Sequence, residues 1–137
     1  MQVEILALCD AASDYQGRLC LLGAFDVIHA INFPATHPHC AIALRLRFAR
    51  IENGSHGVRL HFVDDDGNMI LPPLDGQITV NCADSVDSVS TNLILAVQGL
   101  QLKAPGNYAI NLAVDGRQSA TIPLYVRAVP SHPSEPE

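Results

Sequence analysis

The stretch Cys40–Phe48, with the sequence CAIALRLRF, decides the fold that we predict for this chain. Its apolar side chains recur at every second residue, namely Ile42, Leu44, Leu46 and Phe48. Arg45 and Arg47 occupy positions between them. Because successive side chains of a β-strand point to opposite faces, this period of two predicts a strand with one face in a core and the other in water.

The next apolar segment, Gly57–Val63, has the same period and predicts a partner strand. Residues opposite each other in a ladder share a face, and a pairing of Leu46 with Leu60 meets this condition. We therefore expect a hairpin over residues 40–62, with a connection longer than two residues around Asn53. Its outward face is predicted to carry four basic or titratable side chains: Arg45, Arg47, Arg59 and His61.

Alternation of period two continues through the chain, and no long segment has a helical period. The other predicted strands are Val3–Leu8, Arg18–Ile31 with a bend near Gly23, Gln77–Cys82, Val89–Val97, Tyr108–Val114 and Gln118–Val126. About eight or nine strands separated by turns predict an all-β fold, an antiparallel two-sheet β-sandwich with an immunoglobulin-like or jelly-roll-like strand order. We expect residues 1–128 to form this single domain and residues 129–137 to form a Pro-rich flexible C-terminal tail.

The acidic segment Asp64–Asn68 is predicted to be a hairpin turn. A three-residue loop with Gly67 at positive φ pairs Phe62 with Ile70 and keeps both faces of the ladder consistent. The segment does not match the calcium-binding pattern of an EF-hand, so we interpret its aspartates as turn residues.

The last two predicted strands meet at Asp115-Gly116. A bulged or three-residue loop is expected there, because such a loop pairs Ile110 with Ile122. Pro123 lies within the last strand and has no N–H to donate. We therefore expect it at a sheet edge, at a bulge, or where the strand changes sheets.

Composition limits the partners and the compartment. Binding to nucleic acid requires a basic surface, and the net charge is −6, so we do not expect nucleic acid as a partner. No apolar run approaches the roughly 20 residues of a membrane helix, and the first residues lack the basic start of a signal peptide. We expect a cytoplasmic protein without membrane association. The cysteines are expected to be reduced thiols that fill the core: Cys9, Cys20, Cys40 and Cys82.

The HPHC segment provides the candidate metal ligands His37, His39 and Cys40. Zinc needs three or four converging ligands, usually with a second pair elsewhere in the chain, and no such pair is present. Gly-rich phosphate loops and the GxSxG nucleophile motif are absent as well. We expect no cofactor and no catalytic residue. The alternative is a small metal-dependent protein or enzyme that uses the His37/His39/Cys40 cluster.

The basic hairpin is the feature that suggests a function. Residues 40–62 contain four arginines and one glutamate, a net charge of +3 in a chain of net charge −6. Like charges on neighbouring strands repel unless an anion or acidic partner relieves them. We therefore expect a non-catalytic binding or interaction module that contacts a protein partner, a second copy of itself or a small anion through these basic side chains. The competing interpretations are a solvated face paired with aspartates of the next strand, and a structural subunit of a larger assembly.

Three segments resemble a family of small uncharacterised bacterial proteins, a domain of unknown function. They are EILALCDAA near the N-terminus, GRLCLLGAFDVI from Gly17 to Ile28, and HFVDDDGN from His61 to Asn68. The resemblance covers most of the chain up to about Val126. It implies a β-sandwich, and it supplies no catalytic residue.

Overall fold

The computed structural model describes residues 1–130, so the predicted tail lies outside the described residues from residue 131 onward. Within residues 1–130 the chain forms nine β-strands and one 3₁₀ turn, η1 (Arg50–Glu52). The strands are β1 (Gln2–Tyr15), β2 (Arg18–Ala24), β3 (Val27–Ala30), β4 (Ala35–Ala49), β5 (Gly54–Val63), β6 (Leu74–Val80), β7 (Ser88–Leu102), β8 (Gly106–Val114) and β9 (Arg117–Ala128).

These strands form two sheets that pack face to face around one apolar core. Sheet A has the strand order β2-β1-β4-β7, and sheet B has the order β3-β9-β8-β5-β6. The β3–β9 pair is parallel, and the other strand pairs are antiparallel. The predicted all-β, two-sheet sandwich is confirmed.

The predicted hairpin over residues 40–62 is wrong, because β4 and β5 lie in different sheets. β4 pairs with β1 and β7, whereas β5 pairs with β6 and β8. Leu46 and Leu60 are both fully buried, but they enter the same core from opposite sheets. A strand shows the same alternation of inward and outward residues in both arrangements, whether its partner lies beside it in one sheet or faces it across the core. Alternation alone therefore could not distinguish the two arrangements.

The acidic turn after β5 has the predicted geometry. The Ile70 amide donates to the Phe62 carbonyl oxygen at 2.9 Å, which places these two residues opposite each other. Gly67 has a φ of 82° and donates its amide to the Asp64 carbonyl oxygen. A side chain would be strained at this φ, so a glycine suits the position.

The β8–β9 hairpin adopts the predicted bulged form. Asp115 and Gly116 form a two-residue turn at positive φ, a register shift follows, and Ile110 pairs with Ile122. Pro123 lies on β9 before the four residues that pair with β3, so one side of the strand is open there. An open edge tolerates proline because no ladder bond is lost.

The outer face of sheet A is covered by the chain's own β1–β2 hairpin. β1 pairs with β4 as far as Cys9 and with β2 from Cys9 onward, so its second half and β2 form an arm over residues 10–24. The arm extends well beyond the predicted strand end at Leu8. Gly23, with a φ of 68°, lies against Asp10 near the end of the arm, and the predicted long second strand divides there into β2 and β3. The small apolar cluster associated with the arm consists of Cys9, Ala41 and Ala43, with Ala12, Leu19 and Ile94 packed against them.

β7 is longer than predicted: it continues past Val97 to Leu102, whose side chain is buried in the core. Strict alternation from Val97 would turn Leu100 and Leu102 outward, yet both are buried. Gly99, at a φ of 64° and opposite Pro38 in the ladder, shifts the phase of the strand. Odd-numbered residues such as Val97 therefore face the core before Gly99, and the even-numbered Leu100 and Leu102 face it afterwards.

Candidate functional site

The outer face of sheet B is an open polar surface, which we call the sheet B face. Its outward side chains come from four neighbouring strands: Arg59 and His61 on β5, Asp75 and Gln77 on β6, Asn111 and Ala113 on β8, and Thr121 on β9. In contrast to sheet A, no strand of the described chain crosses this face. Two of the four predicted binding residues, Arg59 and His61, therefore remain neighbours on an accessible surface.

Arg59 is paired with a carboxylate on the adjacent strand. Its Nε donates to Asp75 Oδ1 at 2.6 Å and its Nη2 donates to Asp75 Oδ2 at 3.1 Å. The Arg59 guanidinium holds the pKa of Asp75 below its usual range, first through the hydrogen bond and further through charge. More than half of each side chain is exposed, so the pair is well screened by solvent. The surface around Arg59 is consequently mixed in charge rather than cationic.

A row of polar side chains crosses the middle of the sheet B face. His61 lies opposite Asn111, and Asn111 lies opposite Thr121 in the ladder. The Thr121 hydroxyl donates to Asn111 Oδ1 at 2.8 Å, and Gln118 Nε2 donates to Thr121 Oγ1 at 2.9 Å. The His61 ring is half-buried, and none of the side-chain hydrogen bonds within residues 1–130 involves it. Its ring nitrogens are therefore available to a partner.

A cavity of about 590 Å³ opens at the β6 side of this face. Its lining includes Arg59, His61, Asp75, Gln77 and the small residues Gly57 and Ala113. A Cβ placed on Gly57 would meet no atom within 4 Å, so the space above this glycine is empty. Gly57, Asp75 and Gln77 were not named in advance, because their place beside Arg59 depends on which strands are neighbours. The exposed Arg59–Asp75 pair agrees with the competing interpretation of a solvated face paired with aspartates of the next strand.

His56, near the start of β5, connects this strand to the β8–β9 turn. Its Nδ1 lies 2.6 Å from Asp115 Oδ2, and its Nε2 lies 2.6 Å from the Glu52 carbonyl oxygen. Both partners are acceptors, so this geometry favours the imidazole that carries a proton on each ring nitrogen, the cationic form. The Asp115 hydrogen bond, followed by the Glu52 carbonyl, raises the pKa of His56. The ring also stacks on Phe48 with 4.5 Å between centroids.

Arg45 and Arg47 do not belong to the sheet B face, because β4 is a strand of sheet A. Both are bound to Glu4 of β1: Arg45 Nε lies 3.1 Å from Oε1, and Arg47 Nε lies 2.7 Å from Oε2. Arg45 Nη1 also donates to Asn92 Oδ1 at 2.9 Å, and Arg47 Nη1 donates to Ser88 Oγ at 3.0 Å. The prediction of one surface shared by all four basic residues is wrong, since the strands that carry them lie in opposite sheets.

The candidate metal ligands do not converge. Cys40 is fully buried in the core, and burial raises the pKa of its thiol to about 11. His39 is exposed, whereas the His37 ring packs against Phe25 with 5.4 Å between centroids. Within residues 1–130 no cluster of three metal-ligating side chains occurs. Neighbouring residues of a strand point to opposite faces, and this separates His39 from Cys40.

The cysteines follow the prediction in three positions and depart from it in one. All four are free thiols, and Cys9, Cys40 and Cys82 are buried. Cys20 is exposed because it lies on β2, the edge strand of the arm. The prediction that Cys20 lies in the core is therefore wrong.

Comparisons with known proteins give a family and little else. No curated protein matches the chain. A Pseudomonas fluorescens alkylpurine DNA glycosylase, AlkC, bound to DNA containing an abasic site analog, is similar at 9% identity and a TM-score of 0.46. The match covers 93% of this chain and 30% of the glycosylase chain, so this chain spans under a third of that protein. A likeness of this extent carries no assignment of activity.

Two expectations about partners are affected by these findings. The exclusion of nucleic acid is corrected, because it rested on the net charge of the whole chain, which does not describe a local surface. The DNA in the comparison above is bound by the glycosylase. No helix among the described residues is long and apolar enough to cross a membrane.

The predicted likeness to a domain of unknown function is confirmed: residues 4–127 match the family of unknown function DUF6941, and the chain belongs to this family.

Proposed function

We propose that this domain is a binding module that contacts its partner through the sheet B face, around Arg59 and His61. The observation that carries the proposal is the cavity above Gly57, whose rim holds Arg59, His61 and Asp75. Its volume of about 590 Å³ lies within the range of ligand-binding clefts. A protruding side chain of a protein partner would enter it and occupy part of this space.

The two outer faces of the sandwich differ in a way that supports this choice. Sheet A carries the arm, and the two arginines of β4 are bound to Glu4 and to polar side chains of β7. Within residues 1–130 no strand covers the sheet B face, and no side-chain hydrogen bond uses the His61 ring. Polar groups that the fold does not use are free to contribute to recognition.

The charges of the sheet B face indicate the kind of partner. Arg59 is balanced by Asp75, and Asp115 adds a second carboxylate at the rim of the cavity. A face with both signs of charge, an imidazole and an amide fits a polar protein surface that offers donors and acceptors together. We expect such binding to change little with ionic strength, because short hydrogen bonds rather than a net attractive field hold the complex.

Filling the cavity tests the proposal. Gly57→Leu places a side chain in the space above the glycine, where its Cβ meets no atom within 4 Å. Proteins captured by the wild-type domain from its host are identified, purified and titrated by calorimetry. We expect Gly57→Leu to weaken the affinity of the cognate partner by about tenfold or more, since it occupies the space the partner needs.

Gly106→Leu is the matched control, because this glycine also has room for a side chain and lies at the start of β8, outside the cavity lining. We expect the control to bind like the wild type. Thermal unfolding of both variants establishes that the fold is retained. Equal affinity of Gly57→Leu and the wild type would disprove the proposed site.

A further inference from the structure

β7 forms an edge of sheet A. It pairs with β4 along its whole length and, among the described residues, has no ladder partner on its other side. At 15 residues it is as long as β4, and the stretch Ser88–Gln98 precedes the change of phase at Gly99. An edge of this length presents a row of unpaired backbone donors and acceptors.

The ladder shows which residues present these groups. The Arg50 amide donates to the Asp87 carbonyl oxygen at 3.0 Å, directly beyond the Ala49–Ser88 pair and in the same register. Hydrogen-bonded pairs alternate in an antiparallel ladder, so every second residue of β7 is bonded to β4. The residues between them direct their N–H and C=O groups to the open edge: Ser88, Ser90, Asn92, Ile94, Ala96 and Gln98.

β7 also lacks the features that protect the other edges. β6 and β2 have seven residues each and contain Asp75 and Arg18, β3 has four residues, and the open part of β9 contains Pro123. Short length, charge and proline all oppose pairing with another chain. The sequence of β7, SVSTNLILAVQGLQL, has no charged residue and no proline.

We infer that β7 pairs with β7 of a second copy of this chain, antiparallel and about a two-fold axis. Such an interface uses the same strand on both sides, so every side chain of one copy meets a side chain of the same set. A strand with no charge pairs with itself without opposing like charges, which favours a second copy over a charged partner. The pairing would join the two copies of sheet A into one continuous eight-stranded sheet.

Exposed apolar side chains at the start of the strand fit this arrangement. Val86 is 46% exposed and Ile51 is 93% exposed. Arg50 Nη1 donates to the carbonyl oxygens of Asp84 and Val86, so η1 is held against the segment that leads into β7. A two-fold axis across the strand places one such apolar pair at each end of the interface, where the second copy would cover it.

The oligomeric state of purified protein tests the inference, measured by sedimentation equilibrium over a range of concentrations. We expect the wild type to dimerise and Ala96→Pro to shift the dissociation constant of the dimer by about tenfold or more. The Ala96 amide faces the open edge and its side chain is exposed, so proline removes an edge donor without breaking the ladder to β4. Ala96→Ser keeps the N–H and should dimerise like the wild type.

Ser90→Lys is a second variant that introduces charge on the same edge, and circular dichroism establishes that each variant is folded. Gly57→Leu lies on the other sheet and should remain dimeric, so the outcome is independent of the proposed partner site. A monomeric wild type at its highest soluble concentration would overturn the inference. A dimer unaffected in both Ala96→Pro and Ser90→Lys would overturn it as well.

Discussion

Single charged side chains hold distant parts of this chain together. Glu4 binds Arg45 and Arg47 at once, and these hydrogen bonds keep the pKa of its carboxyl below the usual range. His56 and Asp115 do the same between the start of β5 and the β8–β9 turn. The strength of such a contact depends on whether each of its groups is protonated, so its contribution to stability depends on pH.

The His56–Asp115 contact gives a prediction with a defined sign. The pKa of His56 is raised above its ordinary 6.5, so its stabilisation is complete below pH 6.5 and is lost as the pH rises through the raised value. The pKa of Asp115 is lowered below its ordinary 3.8, so its stabilisation is present above pH 3.8 and is lost as the pH falls through the lowered value. The contact therefore contributes most between these two ordinary values.

We expect His56→Gln to lower the free energy of unfolding by about 1 kcal/mol or less near pH 5, and by a smaller amount at pH 9. Urea denaturation at both pH values measures the difference. A loss that grows as the pH rises would contradict a cationic His56. His61→Gln is a suitable control, because His61 makes no such contact within the described chain.

Among the elements of the fold, the arm is what makes the outer face of sheet A differ from that of sheet B. Ala43 on β4 is fully buried although it faces away from the core between the sheets. Ala113 occupies an outward position on β8, on a face that no strand of the described chain crosses. The same residue type is thus fully buried on the outer side of sheet A and half-buried on that of sheet B.

Substitution of these two alanines tests the cover. We expect Ala43→Gln to destabilise the protein by about 1–3 kcal/mol, because a longer polar side chain cannot fit beneath the arm. Ala113→Gln should change the stability by about 0.5 kcal/mol or less, as is usual for surface substitutions. Thermal denaturation of the two variants provides the comparison. Similar losses in both would show that the arm does not cover sheet A.

At the scale of the whole molecule, the four cysteines report how the sandwich opens. Cys20 is exposed on β2, whereas Cys9, Cys40 and Cys82 are buried, Cys9 and Cys40 as neighbours in the β1–β4 ladder. We expect an alkylating reagent to modify Cys20 alone in the native protein, and the other three together on unfolding, because small domains unfold cooperatively. Mass spectrometry across a denaturant series counts the modified thiols. Stepwise modification of the buried cysteines would indicate that parts of the fold open separately.

Part of the candidate site was predictable at the scale of one strand. Arg59 and His61 are two residues apart, so alternation placed both on the outward face of β5. An aspartate of the next strand was among the expected partners of this face, but Asp75, Gln77 and Gly57 could not be identified, since nothing in the spacing of β6 indicates that it lies beside β5. Arg45 and Arg47 were predicted to share this surface because spacing does not show which strands are neighbours. The sheet order places them on β4, in the other sheet from Arg59 and His61.

The amino-acid sequence by itself determined which side chains face the core, where glycines allow tight turns, and hence that the fold is a β-sandwich. Leu46, Leu60 and the turn at Gly67 are examples. Only the tertiary structure decided that β4 and β5 belong to different sheets and that the arm folds over one of them. The reason is physical: alternation specifies inside or outside for each residue, and many strand orders bury the same set of side chains equally well.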